Sequence, residues 1–261
     1  MVLAGLVIVG LRFFADSRRR RLPPEPEPAE EALSGEVDLT VVQLAIDWRA
    51  RAFVQGVLSA LSRSGRTGTA DGRAELLAAT TRTLLDVRLA WLYAAVANHE
   101  RMASSDAEGR FRRWGVDARA RFEEELVRAE DGALTEREAS PVRARPEEGP
   151  GVVVVTLLVA AREEILDVIE QTDAAAIGRL LGQVGRLGAD DLVAFEVIWS
   201  PAAEADRMST YELEVRYPEL EKLDEDTLAG RTFCESCGGP YPAELGACPH
   251  CGAPHPSAAR A

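Results

Sequence analysis

Four cysteines in two matched pairs are the residues whose types and spacing most directly indicate chemistry. They are the only cysteines among 261 residues, and they form Cys234-x-x-Cys237 and Cys248-x-x-Cys251 with ten residues between the pairs. Four thiolates complete a tetrahedral shell of the kind that binds structural zinc. Such a shell has no open position for water, so the sequence predicts one structural Zn²⁺ rather than a catalytic metal.

The segment around the cysteines has the composition of a small metal-stabilised fold. Gly238 and Gly252 directly follow the second cysteine of each pair and can adopt the positive φ that such tight turns need. A segment of about 25 residues cannot bury enough apolar surface to fold alone, so metal binding would supply the missing free energy. Residues 233–254 therefore resemble a zinc ribbon, and His250, beside a complete four-sulfur shell, is predicted to lie at the surface.

Disulfides and a redox C-x-x-C are the alternatives for the same cysteines. Two disulfides need an oxidising compartment, and the sequence shows no signal peptide that indicates one. A redox C-x-x-C normally occurs once, at the start of a helix beside a strand, rather than twice in a segment rich in Gly and Pro. Both alternatives fit the pattern less well than zinc does.

The charge balance argues against a nucleic-acid partner. The chain carries 30 Lys and Arg against 43 Asp and Glu, a formal net charge of −13. Binding to phosphates needs clustered Lys and Arg that release counterions, and the ribbon segment has no such cluster. The ribbon is therefore predicted to bind protein, and no motif identifies the partner.

The first 21 residues predict membrane association. Residues 2–14 are apolar except for glycine and Arg12, and four arginines follow at residues 18–21. Thirteen helical residues span about 20 Å, short of the roughly 30 Å hydrocarbon core, so residues 1–21 are either a short or truncated span or an interfacial helix. The positive flank places the domain that follows, and the ribbon, on the cytoplasmic side.

Composition divides the rest of the chain into segments. Residues 22–35 are dominated by Pro and Glu and are predicted to form an extended spacer. A central globular domain is predicted over residues 36–223, a linker over 224–232, the ribbon over 233–254 and a disordered tail over 255–261.

Periodicity within the central domain predicts alternating strands and helices. Capping boxes at Ser105 and Ser209 and a helix cap at Thr172 or Asp173 support three of the helices. The predicted strands are residues 37–46, 151–162 and 192–199. The predicted helices are residues 48–64, residues 70–97, a helix from residue 105 onwards, a helix from the cap at Thr172 or Asp173 to Gly188, and residues 209–216.

The second half of the domain predicts a parallel strand–helix–strand unit. Residues 151–162 and 192–199 are apolar on both faces, as buried central strands are. The helical segment between them makes the connection long enough for a crossover. We therefore predict an α/β or α+β domain in which helices pack on a small sheet.

Glu196 is the unusual residue of this predicted core, because a buried carboxylate needs a partner or becomes protonated. Arg162, at the end of the neighbouring strand, is the expected partner in a structural ion pair. The alternative is a ligand site formed by Arg162, Glu196 and Asp206, since ligands bind at the carboxyl ends of parallel strands in open α/β sheets.

Six stretches of the predicted central domain share the pattern of one family. They are VVQLAI (41–46), ARARFEEELV (118–127), VVVVTLLVAAR (152–162), GRLG (185–188), LVAFEVIWSP (192–201) and DRMSTYELEVRYPELEKL (206–223). Together they resemble a membrane-associated family of cyanobacteria and plastids, the domain of unknown function 1517, over about residues 36–223. The resemblance implies a hydrophobic segment before the domain and carries no established catalytic residues. The ribbon and the short hydrophobic segment depart from the family pattern.

Three functions follow from these observations. The sequence has no G-x-G-x-x-G, P-loop, G-x-S-x-G or H-E-x-x-H motif, so an adaptor is favoured over an enzyme. The first function is a membrane-tethered cytoplasmic adaptor or assembly factor that binds protein through its ribbon. The second is a small-ligand sensor or enzyme with its site at the carboxyl ends of the central strands. The third is a zinc or thiol sensor, which needs exposed, reactive thiolates.

Overall fold

A computed structural model describes residues 35–130, 151–201, 208–223, 231–242 and 245–254. The predicted membrane segment lies outside these ranges, as do the spacer up to residue 34 and the tail from residue 255. Within the described ranges, no helix is long and apolar enough to cross a membrane.

Helices and strands alternate along the described part of the chain, which is the mixed class that the sequence predicts. The elements are β1 Glu36–Ile46, α1 Trp48–Ser64, α2 Ala70–Asp86, a 3₁₀ turn Arg88–Ala90, β2 Trp91–Ala103, α3 Ser104–Glu130, β3 Val153–Ala161, α4 Ala174–Val184, β4 Leu192–Ser200, α5 Thr210–Arg216, β5 Glu221–Lys222, β6 Arg231–Phe233 and β7 Pro240–Pro242.

A five-stranded sheet in the order β4-β3-β1-β2-β5 forms the centre of the domain. Every neighbouring pair in it is antiparallel. β1 is hydrogen-bonded to β2 on one side and to β3 on the other, and all of its residues except Glu36 are buried. A separate two-stranded sheet pairs β6 with β7.

Helices cover both faces of the large sheet, because alternate strand residues point to opposite sides. Leu44 and Leu157 lie in a core cluster with residues of α1, α2 and α4. Leu39 and Leu158 face the other side and pack with α3. Ala45 packs on that second side with α5. The sheet is thus the middle layer of three.

The predicted parallel unit is wrong, because β3 and β4 pair antiparallel with Val154 opposite Ser200. The chain between them leaves and returns at the same end of the sheet, where Arg162 N–H donates to Asp191 O at 2.8 Å. A connection long enough for a crossover permits parallel pairing without requiring it. Here α4 packs into the core beside α2, and the chain then turns back to the end from which it left.

The helix predicted over residues 70–97 is also wrong in its second half. α2 ends at Asp86, and β2 begins at Trp91. The leucine periodicity runs on past the end of α2, which is why the sequence indicates one long helix. Pairing with β1, with Val96 opposite Val42, overrides that local preference, and the Trp91 indole N–H closes the junction by donating to Leu84 O at 3.1 Å.

The other predicted elements are confirmed with small changes at their ends. The three predicted strands are β1, β3 and β4, and the helix after residue 48 is α1. Ser209 and Glu212 form the predicted capping box of α5. Asp173 rather than Thr172 caps α4, which ends at Val184, before Gly188.

Gly151, just before β3, has a φ of 81°, and a Cβ there would collide with the carbonyl oxygen of Met208. Gly151→Ala is therefore expected to lower the free energy of unfolding by at least about 1 kcal/mol, the cost of left-handed backbone alone. Gly56→Ala in α1 is the control, because nothing lies within 4 Å of its added Cβ. Helix propensity predicts that it stabilises by about 0.5–1 kcal/mol. Urea denaturation measures both, and a Gly151→Ala variant as stable as wild type would contradict the expectation.

Candidate metal centre

The four cysteines predicted to bind zinc lie together, with their sulfur atoms all within 4.8 Å of one another. Cys234 Sγ lies 3.6 Å from Cys251 Sγ, and Cys237 Sγ lies 3.7 Å from Cys248 Sγ. A tetrahedron with metal–sulfur bonds of about 2.3 Å has edges of about 3.8 Å, close to both separations. A disulfide needs about 2.05 Å between sulfurs, and all four cysteines are free.

Both cysteine pairs are built on the same turn. Gly238 N–H donates to Cys234 O at 2.8 Å, and Gly252 N–H donates to Cys248 O at 2.8 Å. The two glycines have φ values of 73° and 76°, which confirms the predicted positive φ. We call residues 234–239 the first knuckle and residues 248–253 the second knuckle. Each turn brings the two sulfurs of its pair to one side, so the two knuckles face each other across the cluster.

Burial differs among the four thiols. Cys234 and Cys248 are buried, Cys237 is partly buried and Cys251 is exposed. Burial raises the pKa of the Cys237 and Cys248 thiols, whereas a hydrogen bond to the backbone of Ala253 lowers the pKa of the Cys251 thiol to about 7. Bringing four thiolates this close requires a cation to offset their mutual repulsion.

The donor set therefore fits a metal ion on its own chemistry. Four sulfur ligands in tetrahedral arrangement are typical of zinc or of an iron–sulfur centre. The four cysteines can hold one such ion between the two knuckles. Its chemical role would be to fix the two knuckles to each other, since the four-sulfur shell is complete.

The cysteine cluster lies against α1 of the central domain. A Cβ at Gly238 would collide with Arg49 O, so the backbone of the first knuckle touches the helix. The His250 ring centroid lies 4.9 Å from that of Phe53. The Arg49 guanidinium lies 4.8 Å from the ring centroid of Phe233 in β6. His250, predicted to lie at the surface, is thus partly buried against Phe53.

Glu196 pairs with Arg119 of α3 and not with Arg162. Glu196 is 1% exposed and lies opposite Leu158 of β3, whereas Arg162 is exposed and follows four residues later. That offset is about 13 Å along the strand. Asp206 lies outside the described residues.

The expected geometry of a ligand site at the strand ends is therefore wrong. Because β3 and β4 are antiparallel, the carboxyl end of β3, at Arg162, and that of β4, at Ser200, lie at opposite ends of the sheet. No single edge carries both ends. Ligand binding by Arg162, Glu196 and Asp206 stays a prediction.

Arg119 is the partner that the sequence analysis missed. Gly115 lies one helical turn before it, and a Cβ there would lie 2.8 Å from Glu196 Oε2. Burial raises the pKa of Glu196, and the Arg119 guanidinium opposes this shift. Gly115 and Arg119 are four residues apart and therefore lie on one face of α3. This spacing is the local sequence feature that could have indicated the contact of Arg119 with Glu196.

The fold and the cluster together define a class of protein. A five-stranded antiparallel sheet with helices on both faces is followed by a four-cysteine cluster, which is an α+β domain with an appended candidate metal site. The chain belongs to the family described as "Protein of unknown function (DUF1517)", which matches residues 36–223. The family resemblance is thereby confirmed, and the four cysteines lie beyond the matched residues.

Two curated proteins are similar to this chain. "Protein FLAP1 homolog A" of Synechocystis sp. is 26% identical over 196 residues, which cover 72% of this chain and 58% of that protein. "FLUCTUATING-LIGHT-ACCLIMATION protein 1, chloroplastic" of Arabidopsis thaliana is 28% identical over 164 residues, which cover 62% of this chain and 41% of that protein. The aligned segment thus spans less than two thirds of either relative. No solved structure matches the chain.

Removing Arg119 tests the buried ion pair. Arg119→Met leaves the Glu196 carboxylate buried without its cation, so the free energy of unfolding at neutral pH is expected to fall by about 3 kcal/mol. With the folded-state pKa of Glu196 raised above its unfolded value, the loss should shrink as the pH falls, because protonation removes the buried charge. Denaturant unfolding at pH values from about 7 to about 5 measures this.

The double variant Glu196→Met/Arg119→Met is the control for that experiment. It removes both charges and fills the space with apolar side chains, so it is expected to regain most of the lost stability and to lose the pH dependence. A single variant whose loss is small and independent of pH would show that the pair is not buried as described.

Proposed function

We propose that the protein is a membrane-tethered cytoplasmic adaptor or assembly factor that holds a structural zinc ribbon for protein binding. In this proposal residues 1–21 associate with the membrane and residues 22–35 space the domain from it. The central domain, residues 36–223, and the ribbon, residues 233–254, stand on the cytoplasmic side. The ribbon binds one Zn²⁺ through the four cysteines, which are Cys234, Cys237, Cys248 and Cys251.

A rigid loop with exposed apolar side chains carries the adaptor part of the proposal. The loop joins β3 to α4, and we call residues 162–173 the β3–α4 loop. Ile169 is 97% exposed and Leu166 is 49% exposed, while Ile165 and Val168 are buried and anchor the loop. Large apolar side chains that an ordered loop holds in water are available as anchors for a protein partner.

Hydrogen bonds from two different elements fix this loop. Ile165 N–H donates to Asp38 Oδ2 at 3.0 Å, which ties the loop to β1. Leu166 N–H donates to Gln183 Oε1 at 2.8 Å, and Gln183 Nε2 donates to Glu164 O at 2.8 Å, which ties it to α4. A surface fixed before binding loses little conformational entropy when a partner arrives.

The charges around the exposed side chains indicate the kind of partner. Glu163, Glu164, Asp167 and Glu170 lie on the same loop and are exposed. Burial raises the pKa of Asp38, and the negative charges of Asp167 and Glu164 raise it further. A partner with an apolar pocket rimmed by Lys or Arg would complement this surface.

The names of the two relatives connect them with acclimation to light. The names of both refer to FLAP1 or to fluctuating-light acclimation. An adaptor that adjusts a membrane assembly is compatible with a role in acclimation. The family match ends at residue 223, so the ribbon would give this chain a binding function in addition to that of the shared domain.

A thiol or zinc sensor is the second candidate, and the exposure of Cys251 favours it. Cys234 and Cys248 are buried, so Cys251 is the sulfur that a reagent in solution reaches first. A sensor requires that the metal-loaded protein reacts quickly with a thiol reagent and releases its metal. If the metal-loaded protein reacts slowly with the thiol reagent and keeps its metal, the sensor proposal is contradicted and the adaptor proposal stands.

Co-purification tests the adaptor proposal. Tagged full-length protein from solubilised native membranes is expected to retain a stoichiometric partner, identified by mass spectrometry. Leu166→Ser/Ile169→Ser should lower the amount retained at least about tenfold, because the apolar contact is lost. Cys234→Ser/Cys237→Ser is also expected to lower the amount retained, because the proposal assigns protein binding to the ribbon.

Val215→Ser is the matched control for the loop variant. Val215 is 63% exposed on α5, away from the β3–α4 loop, so its replacement should leave the partner in place. A wild-type protein that retains no partner, or a partner retained equally by all variants, would contradict the adaptor proposal.

A further inference from the structure

We propose that the first two turns of α1 form a docking surface whose occupant is the metal-loaded ribbon of the same chain, so that loss of the metal uncovers the surface. This inference rests on the proposed zinc site. It goes beyond the adaptor function, because it assigns one side of the ribbon to a contact within the chain.

Three separate parts of the ribbon meet the same two turns. The backbone of the first knuckle touches α1 where Gly238 lies against Arg49 O. The second knuckle contributes His250, whose ring packs on Phe53 with centroids 4.9 Å apart. β6 contributes Phe233, which lies under the Arg49 guanidinium and packs against the main core cluster. Contacts from both knuckles and a strand indicate a defined orientation of the ribbon.

Docking needs both knuckles, and the four sulfur ligands of the metal site come from both of them. The Cys234–Gly238 and Cys248–Gly252 hydrogen bonds each lie within one knuckle and do not connect the two. The apolar cluster of the described ribbon residues is small. It consists of Cys234, Tyr241 and Cys248 with Cys237 and Ala253 packed beside them. Four of these five residues are cysteines or alanine, so a metal bridge must supply most of the rigidity.

Gly239 shows how tightly the two knuckles are fitted in the docked state. A Cβ at Gly239 in the first knuckle would collide with the His250 ring of the second. The ring is thus held between the first knuckle and Phe53 of α1. If the metal no longer ties the knuckles, His250 and Gly238 lose the fixed spacing that lets both reach α1 together.

The start of α1 has capping contacts of its own that do not involve the ribbon. Asp47 caps α1 by accepting from Arg49 N–H at 2.9 Å and from Arg49 Nε at 3.1 Å. The same guanidinium lies 5.6 Å from the ring centroid of Trp48, which is 37% exposed. With Phe53 one turn further, the uncovered surface would combine Trp, Arg and Phe, the residue types enriched at protein-binding hot spots.

Two glycines make a matched pair of variants for the test. Gly238 and Gly252 occupy the same place in their knuckles, with φ values of 73° and 76° and the same 2.8 Å hydrogen bond. Alanine at either position carries the same backbone strain. A Cβ at Gly238 also collides with Arg49 O, whereas a Cβ at Gly252 has nothing within 4 Å. A difference between Gly238→Ala and Gly252→Ala therefore isolates the contact with α1.

The experiment measures hydrogen exchange by mass spectrometry on full-length protein kept reduced, together with the zinc content per chain. Peptides covering residues 47–58 report on the start of α1, and peptides covering α4 serve as an internal reference. Removing zinc with a chelator is expected to speed exchange in residues 47–58 about tenfold and to leave α4 unchanged.

The two glycine variants should then separate docking from metal binding. Zinc-loaded Gly252→Ala is expected to exchange like zinc-loaded wild type. Gly238→Ala is expected to keep one zinc per chain and yet to exchange in residues 47–58 like the chelated protein. If Gly238→Ala fails to hold zinc, Phe53→Ala replaces it. Because Phe53 also packs against the main core cluster, the readout for this variant is the change in exchange on chelation, which is expected to be smaller in residues 47–58 than in wild type.

Each contrary result has a distinct meaning. If one zinc binds per chain but chelation leaves exchange in residues 47–58 unchanged, the docking surface is overturned and the zinc site stands. If the two glycine variants exchange alike when loaded with zinc, or if chelation speeds exchange in Phe53→Ala as much as in wild type, the assigned contact is wrong. If no zinc binds to the wild type, the zinc site and the metal-dependent docking fall together.

Discussion

Burial of the central strand β1 on both faces is the constraint on which the rest of the structure depends. β1 is hydrogen-bonded along both edges and buried from Val37 to Ile46, so helices must cover the sheet on each side. α1 follows it directly through the Asp47 cap, which fixes where that helix lies on the sheet. The outward side of its first two turns becomes the surface on which the ribbon rests. The four-cysteine cluster thus contacts the domain through the helix that follows β1.

Local patterns predicted what depends on neighbouring residues. The apolar runs that become β3 and β4, the capping box at Ser209 and the positive φ at Gly238 and Gly252 all follow from short stretches of sequence. The close approach of the four sulfurs also follows from spacing, because each C-x-x-C pair builds its own turn. These features required no knowledge of distant contacts.

Features set by residues far apart in the chain were missed. The antiparallel direction of β3 against β4 depends on the path of the chain through α4, and β2 is held in the sheet by pairing with β1 and β5. Arg119 reaches Glu196 across 77 positions, so the nearer Arg162 was the natural but wrong choice. The contact of His250 with Phe53 joins the last described segment of the chain to its first helix. No local periodicity encodes such pairings.

The central claim is that the four cysteines hold zinc in a closed sulfur shell and thereby fold the ribbon onto the domain. X-ray absorption at the zinc edge, on full-length protein purified under reducing conditions, tests this most directly. The expected result is four sulfur atoms at about 2.3 Å from the zinc and no nitrogen or oxygen ligand. A spectrum with mixed sulfur and lighter ligands, or protein without zinc and with disulfides in place of the four thiols, would contradict it.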